Sequence, residues 1–318
     1  MPLFDTDTDD LDDLARRAGD ADPGVRRVAM LGLAEMPEAE AADLLIGGLA
    51  DPVPEVRAAA AQALEGHPGN KVAAALIAVL DDADPRVRDC AAAAFVERHE
   101  ADAAPLLVAR ASRGGAFARA AALRGLRELA VPDATGVALD ALNDPDPVVR
   151  REAVAVLGWL RAEAALPALA HAAADPEPEV RRAAMAALVF ARPGAPSGEA
   201  LIAGLGDDAW QVREEAAATL GRNRLPEAEA ALIRAMDDAI WQVRLKAAAA
   251  LGRLRARAAV PVLAEALASE VSNLRKESAA ALGEIGDSAA LTALRVAAAD
   301  EDPDVRKVAL WAIGRCAG

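Results

Sequence analysis

Apolar side chains recur along this chain in short blocks that repeat at a nearly constant distance. In one block, Val149, Ala153 and Leu157 fall on one face of an α-helix. The acid Asp146 stands just before this block and is followed by Pro147. A carboxylate there can accept hydrogen bonds from the free N–H groups of the first turn, and proline suits the first helical position. The block therefore predicts an amphipathic helix that begins at Pro147.

One arginine marks the same place in every block. It recurs at Arg26, Arg57, Arg88, Arg119, Arg150, Arg181, Arg213, Arg244, Arg275 and Arg306. Eight of the nine spacings are 31 residues and the other is 32. An alanine follows each arginine by three residues, with Ser278 as the exception, and a leucine, phenylalanine or isoleucine follows by seven. A fixed period of this size is the signature of a repeat solenoid.

A second, shorter apolar block precedes each capping site, as in residues 165–170. Each repeat is therefore expected to contain a helix A, a turn, a helix B and another turn. We predict an all-α fold, a right-handed α-solenoid of about ten helix pairs with 31-residue repeats. Because the period runs almost without a break, we expect one repeat domain over residues 1–318. Glycines near the end of helix B, such as Gly158 and Gly221, are expected to adopt a left-handed conformation there.

The repeated segment resembles a known family. Asp-Pro-x-Val-Arg, followed by an alanine- and leucine-rich helix that ends in Leu-Gly, resembles the HEAT-like repeat of the phycobilisome-lyase (PBS lyase) type. The resemblance covers almost the whole chain and implies the fold. It does not imply one function, because such repeats serve as scaffolds, lyase subunits, hydroxylases and inhibitors.

Composition narrows the classes of partner. The chain has a formal net charge of −15, and it is 54% hydrophobic but only 3% aromatic. Nucleic-acid binding usually needs a basic surface, so DNA and RNA are disfavoured as partners. No apolar run approaches the roughly 18 residues of a membrane helix. The first residues are acidic and lack the features of a secretory signal, so we expect a cytoplasmic protein. We also expect a monomer that does not associate with a membrane.

Catalytic chemistry has little support in the sequence. The three histidines, His67, His99 and His171, lie in different repeats, and their spacing does not suggest a metal site. The pair His99-Glu100 is the only His-Glu pair, whereas the resemblance to HEAT-like deoxyhypusine hydroxylases would require several such pairs for a di-iron centre. No phosphate loop or dinucleotide fingerprint is present. We therefore expect no catalytic residue, no metal and no cofactor.

Exposed positions of helix B suggest where a partner binds. B helices usually line the concave face of a solenoid, and positions one, five and nine after the repeated arginine are expected to point into that groove. In the second half of the chain, this pattern favours a partner-binding surface rich in aromatic and basic side chains. Its predicted residues are Trp159, Phe190, Arg222, Arg253, Arg151 and Arg182, with Arg161, Arg224 and Arg255 in the turns that follow. The alternative interpretation is that the aromatic residues cover helix ends and the arginines are merely solvated.

Trp210 and Trp241 form a second candidate. They replace the proline at the start of two successive B helices, inside a duplicated Trp-Gln-Val-Arg. A matched pair on adjacent repeats could grip a partner, or it could hold the turn that has lost its proline.

The repeated arginines themselves are interpreted as structural. Each could pair with an acid near the start of a neighbouring helix and so form a charge ladder between repeats. The function that fits these patterns is a non-enzymatic scaffold that binds a protein or peptide with acidic and apolar groups, for example to assemble or regulate an enzyme complex. The alternatives are a bilin-lyase-like or other HEAT-like enzyme, and a HEAT-like DNA-binding protein.

Overall fold

The fold of the described residues is entirely helical. A computed structural model describes residues 10–96 and 101–317, and these contain 20 α-helices and short 3₁₀ turns but no strand. Odd-numbered helices are the A helices of the repeats and even-numbered helices are the B helices. The expected all-α solenoid of about ten helix pairs is thus confirmed. The sequence also predicts a tail over residues 1–7 and a first helix that starts near Thr8, and both of these positions lie outside the described residues.

The chain divides into two compact units, Met1–Val156 and Leu157–Gly318. Whether they act as the single domain expected from the period stays a prediction. The helices of the first unit are α1 (Leu11–Ala18), α2 (Pro23–Leu33), α3 (Ala39–Gly48), α4 (Pro54–Ala63), α5 (Asn70–Ala78), α6 (Pro85–Val96), α7 (Ala104–Arg113), α8 (Ala116–Leu129), α9 (Ala134–Ala141) and most of α10 (Pro147–Trp159).

The second unit begins within the last turn of α10. Its other helices are α11 (Leu166–Ala172), α12 (Pro178–Ala187), α13 (Pro196–Gly204), α14 (Trp210–Asn223), α15 (Glu229–Ala235), α16 (Trp241–Leu254), α17 (Val260–Ala266), α18 (Ser272–Ile285), α19 (Leu291–Ala297) and α20 (Pro303–Cys316).

Several B helices begin as the sequence predicted. The carboxylate of Asp146 accepts a hydrogen bond from the N–H of Val148 at 2.8 Å, and α10 begins at Pro147. Asp302 caps α20 in the same way. The pair Asp51-Pro52 behaves differently, because α4 begins two residues later and Asp51 serves another role.

The core of each unit is built from the periodic apolar positions. Val149, Ala153 and Leu157 are fully buried. The equivalent alanine, three residues after the arginine, is buried in each repeat, and Ser278 takes its place in the ninth. Because these side chains are small, the helices can approach closely. The predicted inward face of helix B is therefore confirmed.

The expected arginine ladder is also present. Nε and Nη2 of Arg57 each donate to the carboxylate of Asp82 at 2.8 Å, while Nη1 donates to the backbone carbonyl of Asp51 at 2.9 Å. Each arginine thus ties its own turn to the next repeat. The same ion pair joins Arg26–Asp51, Arg57–Asp82, Arg119–Asp144, Arg181–Asp207, Arg213–Asp238 and Arg275–Asp300. The partner acid lies six residues before the next repeated arginine, not at the helix cap.

The ladder is altered in two places. Arg113 occupies the acid position opposite Arg88, and the Arg88 guanidinium stacks 5.4 Å from the ring centre of Phe117 instead. Ser269 occupies the acid position opposite Arg244, whose Nη1 donates only to the carbonyls of Asp238 and Ala239. A cation–π contact therefore replaces the ion pair at Arg88. Arg244 keeps only the carbonyl hydrogen bonds that Arg57 makes in addition to its ion pair.

The glycines near the ends of the B helices have a different role from the one expected. Gly158, Gly221 and Gly252 do not adopt positive φ. A Cβ at Gly221 would lie 2.9 Å from the Cα of Ala250 on the next B helix, which is too close for any side chain. These glycines allow neighbouring B helices to approach. At Gly314, in the last repeat, a Cβ would have no neighbour within 4 Å.

The left-handed conformation occurs three residues later. Non-glycine residues with positive φ are found there at Ala130, Arg161, Arg224 and Arg255, with φ values of 51°, 47°, 53° and 53°, and Gly286 occupies the same position with a φ of 71°. This eleventh position after the repeated arginine ends helix B. The usual preference for glycine at such an end is fulfilled only by Gly286.

Candidate functional site: a basic groove in the second unit

A groove of about 860 Å³ lies in the second unit along the ends of its B helices. Its walls come from the end of α14, the beginning of α15, the end of α16, and parts of α18 and α20. The charged and aromatic residues that line it are Arg224, Arg253, Arg255, Arg315, Glu229, Glu284 and Trp311. We refer to the surface formed by these residues as the basic groove.

The four arginines of the basic groove are exposed and make no ion pair within the described residues. Within the described part of the chain, no carboxylate oxygen lies within 4.0 Å of the guanidinium nitrogens of these four arginines. Arg222 provides a contrast, since its Nη2 pairs with Glu215 at 2.8 Å. Unpaired guanidinium groups keep their donors available, and each can bind a carboxylate with two parallel hydrogen bonds.

Acidic residues inside the groove limit its positive charge. Glu284 lies beside Gly252, where a Cβ would come 3.0 Å from its carboxylate. Burial raises the pKa of the nearby Glu277, and repulsion by Glu284 raises it further, whereas attraction by Arg253 opposes the rise. The groove is thus positively charged on balance, but it is not a uniformly basic strip.

Three sequence positions bring the groove residues together. Arg253 and Arg315 occupy the ninth position after the repeated arginine, which the structure exposes as expected. Arg224 and Arg255 occupy the left-handed eleventh position. Trp311 occupies the fifth position and packs over Gly283, where any side chain would collide with the indole ring.

The predicted partner-binding residues are only partly assembled here. Arg253 lines the basic groove, whereas Arg222 is ion-paired with Glu215. Trp159, at the end of α10, is 65% exposed, and Phe190 is half-buried in the 3₁₀ turn after α12.

Two further predicted arginines are already paired with acids. Arg151 donates to Glu152 at 3.0 Å, and Arg182 lies 3.6 Å from Glu179. Their charge is therefore partly compensated, unlike that of the basic groove.

Trp210 and Trp241 lie where the sequence placed them, at the first residues of α14 and α16. Both are half-buried and follow N-cap residues that provide no side-chain hydrogen bond. They are not among the lining residues of the basic groove. Whether they bind a partner or hold the turn stays a prediction.

Sequence reasoning had noticed the remaining groove residues without combining them. The sequence places Arg224 and Arg255 in turns, but it does not indicate that Trp311 and Arg315 lie beside them. Trp311, five residues after the last repeated arginine, comes near Arg253, nine residues after an earlier one, only when the B helices pack closely. The run of glycines at the eighth position was the signal for that close approach.

A smaller groove of about 360 Å³ is found in the first unit, along α5 and α7. It is largely apolar and includes the exposed Leu106. Its Arg110 is engaged by Asp81, whose carboxylate also accepts the N–H of Gly115 at 2.7 Å. Arg113 also lines this groove, and it is exposed and makes no ion pair within the described residues. The first-unit groove thus has one unpaired guanidinium group where the basic groove has four.

The described residues contain no cluster of three or more His, Cys, Asp or Glu side chains that could hold a metal ion. His67 is buried with its Nε2 3.3 Å from the carbonyl of Leu33, and His171 is exposed. The pair His99-Glu100 lies outside the described residues. Among the helices that the structure describes, none is long and apolar enough to cross a membrane.

Comparison with known families agrees with the repeat architecture. A family model described as HEAT repeats matches residues 5–65, 49–116, 116–189 and 198–281. The chain belongs to the HEAT-repeat family. A second model, the PBS lyase HEAT-like repeat, matches residues 274–300, which confirms the resemblance read from the sequence. No curated protein sequence matches the chain significantly.

Solved structures share the fold at low sequence identity. An engineered protein is 20% identical, with a TM-score of 0.59, and the match covers 96% of this chain and 98% of that one. The Escherichia coli protein YibA is 21% identical with a TM-score of 0.61, over 76% of this chain and 91% of YibA. A chain from the structure of Kap95p bound to RanGDP is 14% identical with a TM-score of 0.61; the match covers 95% of this chain and 51% of that one.

Proposed function

We propose that this HEAT-repeat protein is a non-enzymatic scaffold that binds an acidic segment of a partner protein. The observation that carries the proposal is the basic groove, where Arg224, Arg253, Arg255 and Arg315 have no acid within 4.0 Å in the described part of the chain. Arginine and tryptophan are enriched among the few residues that contribute most of the binding energy of a protein interface.

A partner with apolar groups beside its acids suits the groove best. Trp311 is 49% exposed, so its indole ring can cover an apolar side chain of the partner. Such a contact resists salt, whereas the arginine contacts are screened by it. Both kinds of contact are expected in one complex.

Charge favours a polypeptide over nucleic acid. The second unit contains 19 basic and 22 acidic residues, and the whole chain has a net charge of −15. A nucleic-acid backbone carries a charge on every nucleotide and would therefore meet Glu229 and Glu284 inside the groove. A short acidic segment can avoid these two carboxylates.

The fold likeness supports a role in protein binding. One matched structure contains Kap95p bound to RanGDP, which is a complex between proteins. Many folds of this type present long surfaces to a partner. A role in assembling or regulating an enzyme complex is compatible with such a surface.

We propose that part of the originally predicted surface adds secondary contacts. Trp159 is the most exposed aromatic residue of the second unit and lacks an obvious packing role. Phe190 and Arg222 occupy the equivalent position on the next two repeats. For Arg151, Arg182, Trp210 and Trp241, the binding role proposed from the sequence is retained only as a weaker contribution, because these side chains are already ion-paired or half-buried.

An enzymatic role remains the second candidate because of one observation. Residues 274–300 match the PBS lyase HEAT-like repeat. The resemblance extends to the repeat itself, and the described residues show no cluster of metal-binding side chains. Turnover of a bilin or another small molecule by the purified protein would favour this candidate over the scaffold.

The proposal is tested by direct binding to defined peptides. A fluorescent peptide that contains glutamate and leucine is compared, by fluorescence anisotropy, with a matched peptide in which glutamine replaces each glutamate. We expect binding of the acidic peptide only, with affinity that falls as salt is raised. Equal binding of both peptides, or stronger binding of a single-stranded oligonucleotide of equal charge, would overturn the proposal.

A further inference from the structure

The basic groove contains two arginines in a backbone conformation that suits glycine. Arg224 and Arg255 both have a φ of 53°. A Cβ makes this left-handed region unfavourable for ordinary residues, whereas glycine adopts it freely. In the next repeat, Gly286 fills the same position with a φ of 71°.

The fold does not need arginine at these positions. The backbone N–H of Arg224 donates to the carbonyl of Leu220 at 2.9 Å, and that of Arg255 donates to Gly252 at 2.8 Å. Gly286 makes the equivalent backbone bond to Leu282 at 2.9 Å. Any residue that accepts the conformation closes the turn in this way.

The side chains of Arg224 and Arg255 also make no ion pair within the described residues. They are exposed and line the basic groove from two successive repeats. The left-handed turn that ends helix B also occurs at Ala130 and Arg161. The unpaired side chains in the groove, rather than the backbone conformation, therefore distinguish Arg224 and Arg255.

We infer that Arg224 and Arg255 recognise two acidic side chains, spaced three residues apart, in an extended segment of the partner. This inference rests on the proposed function and specifies its ligand. Packed helices lie about 8–10 Å apart, and an extended chain of the polyproline II type advances about 3.1 Å per residue and returns to the same face at every third residue. Acids at every third position therefore match the spacing of arginines on neighbouring B helices.

The acids within the groove set the rest of the pattern. Glu229 and Glu284 repel an unbroken run of carboxylates. Neutral or apolar residues between the acids avoid this repulsion, and one of them can lie against Trp311. A spaced acidic segment is thus preferred to a clustered one of the same composition.

The experiment uses the full chain and two fluorescent peptides of equal composition. One peptide has glutamate at every third position with glutamine and leucine between, and the other has its glutamates in one block. We expect the spaced peptide to bind at least tenfold more tightly. Equal affinity for the two peptides would overturn the spacing, and tighter binding of the clustered peptide would do the same.

Substitution by glycine separates recognition from folding. The double variant Arg224→Gly/Arg255→Gly removes both guanidinium groups while it relieves the backbone. We expect its melting temperature to be unchanged or higher and its affinity for the spaced peptide to fall at least tenfold. Arg161→Gly is the matched control, since Arg161 has the same conformation with a φ of 47° but does not line the groove.

The outcomes distinguish the inference from the proposal on which it rests. If the double variant binds the spaced peptide as the wild type does, the inference is wrong while the scaffold proposal stands. An equal loss in Arg161→Gly would also overturn the assignment to these two arginines. If the folded wild type binds no acidic peptide at all, both fall together.

Discussion

The two units of this protein share one scaffold but differ at the ends of their B helices. The eighth position after the repeated arginine is Ala34, Glu65, Val96 or Arg127 in the first four repeats. From the fifth repeat onward it is glycine at Gly158, Gly221, Gly252, Gly283 and Gly314, with Val189 as the exception. Close approach of B helices is therefore a feature of the second unit.

The neighbouring ninth position changes in parallel. It contains acids such as Glu35 and Glu128 in the first unit and arginines such as Arg253 and Arg315 in the second. The buried positions and the arginine ladder are alike in both. Packing thus fixes the inner face of each repeat, while the outward positions differ between the units and bring the four arginines of the basic groove together in the second.

Reversal of charge in the basic groove gives the largest expected effect. Arg253→Glu/Arg315→Glu should weaken binding of the spaced acidic peptide at least a hundredfold, or about 3 kcal/mol, because attraction becomes repulsion. Fluorescence anisotropy at low salt measures the change, and circular dichroism checks the helicity.

The matched control lies in the first unit. Glu35→Arg reverses an exposed charge at the equivalent ninth position, and we expect its affinity to stay within twofold of the wild type. A loss as large as that of the groove variant would break the functional contrast between the units.

Replacement of single ladder arginines by alanine tests whether the ladder stabilises both units to the same extent. Arg57→Ala in the first unit and Arg213→Ala in the second each remove two hydrogen bonds to a carboxylate. We expect each to lower the free energy of unfolding by about 2–3 kcal/mol. Arg244→Ala should cost about 1 kcal/mol, since Arg244 donates only to carbonyls.

Denaturant unfolding measures these differences. Equal losses in all three variants would show that the ion pair adds nothing to the carbonyl bonds. A large loss in one unit alone would show that the shared scaffold is not equivalent in the two units.

Glycine replacement tests the close approach of B helices in the second unit. In Gly252→Ala, the new Cβ would lie 2.7 Å from the Cα of Ala281. We expect a loss of about 1–2 kcal/mol, because overpacking exceeds the gain in helix propensity. Gly314→Ala meets no neighbour and should stabilise by up to about 1 kcal/mol. Thermal unfolding of both variants gives the comparison, and a stabilised Gly252→Ala would contradict the packing argument.

Acid dependence is expected to be the smallest effect and equal in both units. Hydrogen bonds from Arg57 and Arg181 lower the pKa of Asp82 and Asp207. A lowered pKa in the folded state stabilises the protein above the unfolded value of about 3.9, and this contribution is lost as the pH falls below it. Melting temperatures from pH 6 down to about pH 2 should therefore decrease mainly below pH 4. Arg57→Ala should show a shallower decrease, and an unchanged profile would contradict the pairing.

The sequence predicted the fold well, because each buried position repeats every 31 residues. The prediction failed at the glycines, because glycine is favoured both at left-handed helix ends and where two helices pack closely. Gly221 and Gly252 looked like helix ends, since glycine favours left-handed turns, but they are there for close packing. The true left-handed positions were missed because they contain Arg224 and Arg255, which no local rule expects there.

The site was harder to predict for a geometric reason. Arg253 was recognised from its outward position, but its neighbours in the groove come from different positions of later repeats. Trp311 reaches the groove only because Gly283 leaves room for its ring. Such a meeting depends on how far each helix is shifted against the next, and periodicity alone does not specify that shift.

One aspartate accepts hydrogen bonds from two successive repeated arginines, and this affects how whole repeats can be lost or gained. Asp207 offers its carboxylate to Arg181 and its backbone carbonyl to Arg213, while Arg244 uses the carbonyl of Asp238. Removal of residues 208–238, one full period, would join Asp207 to the following repeat and present its carbonyl to Arg244. The ladder bonds at the new junction would be restored. Insertion or deletion of a whole period thus keeps the ladder continuous, so the number of repeats can vary by duplication or loss while the charge pairing between repeats persists.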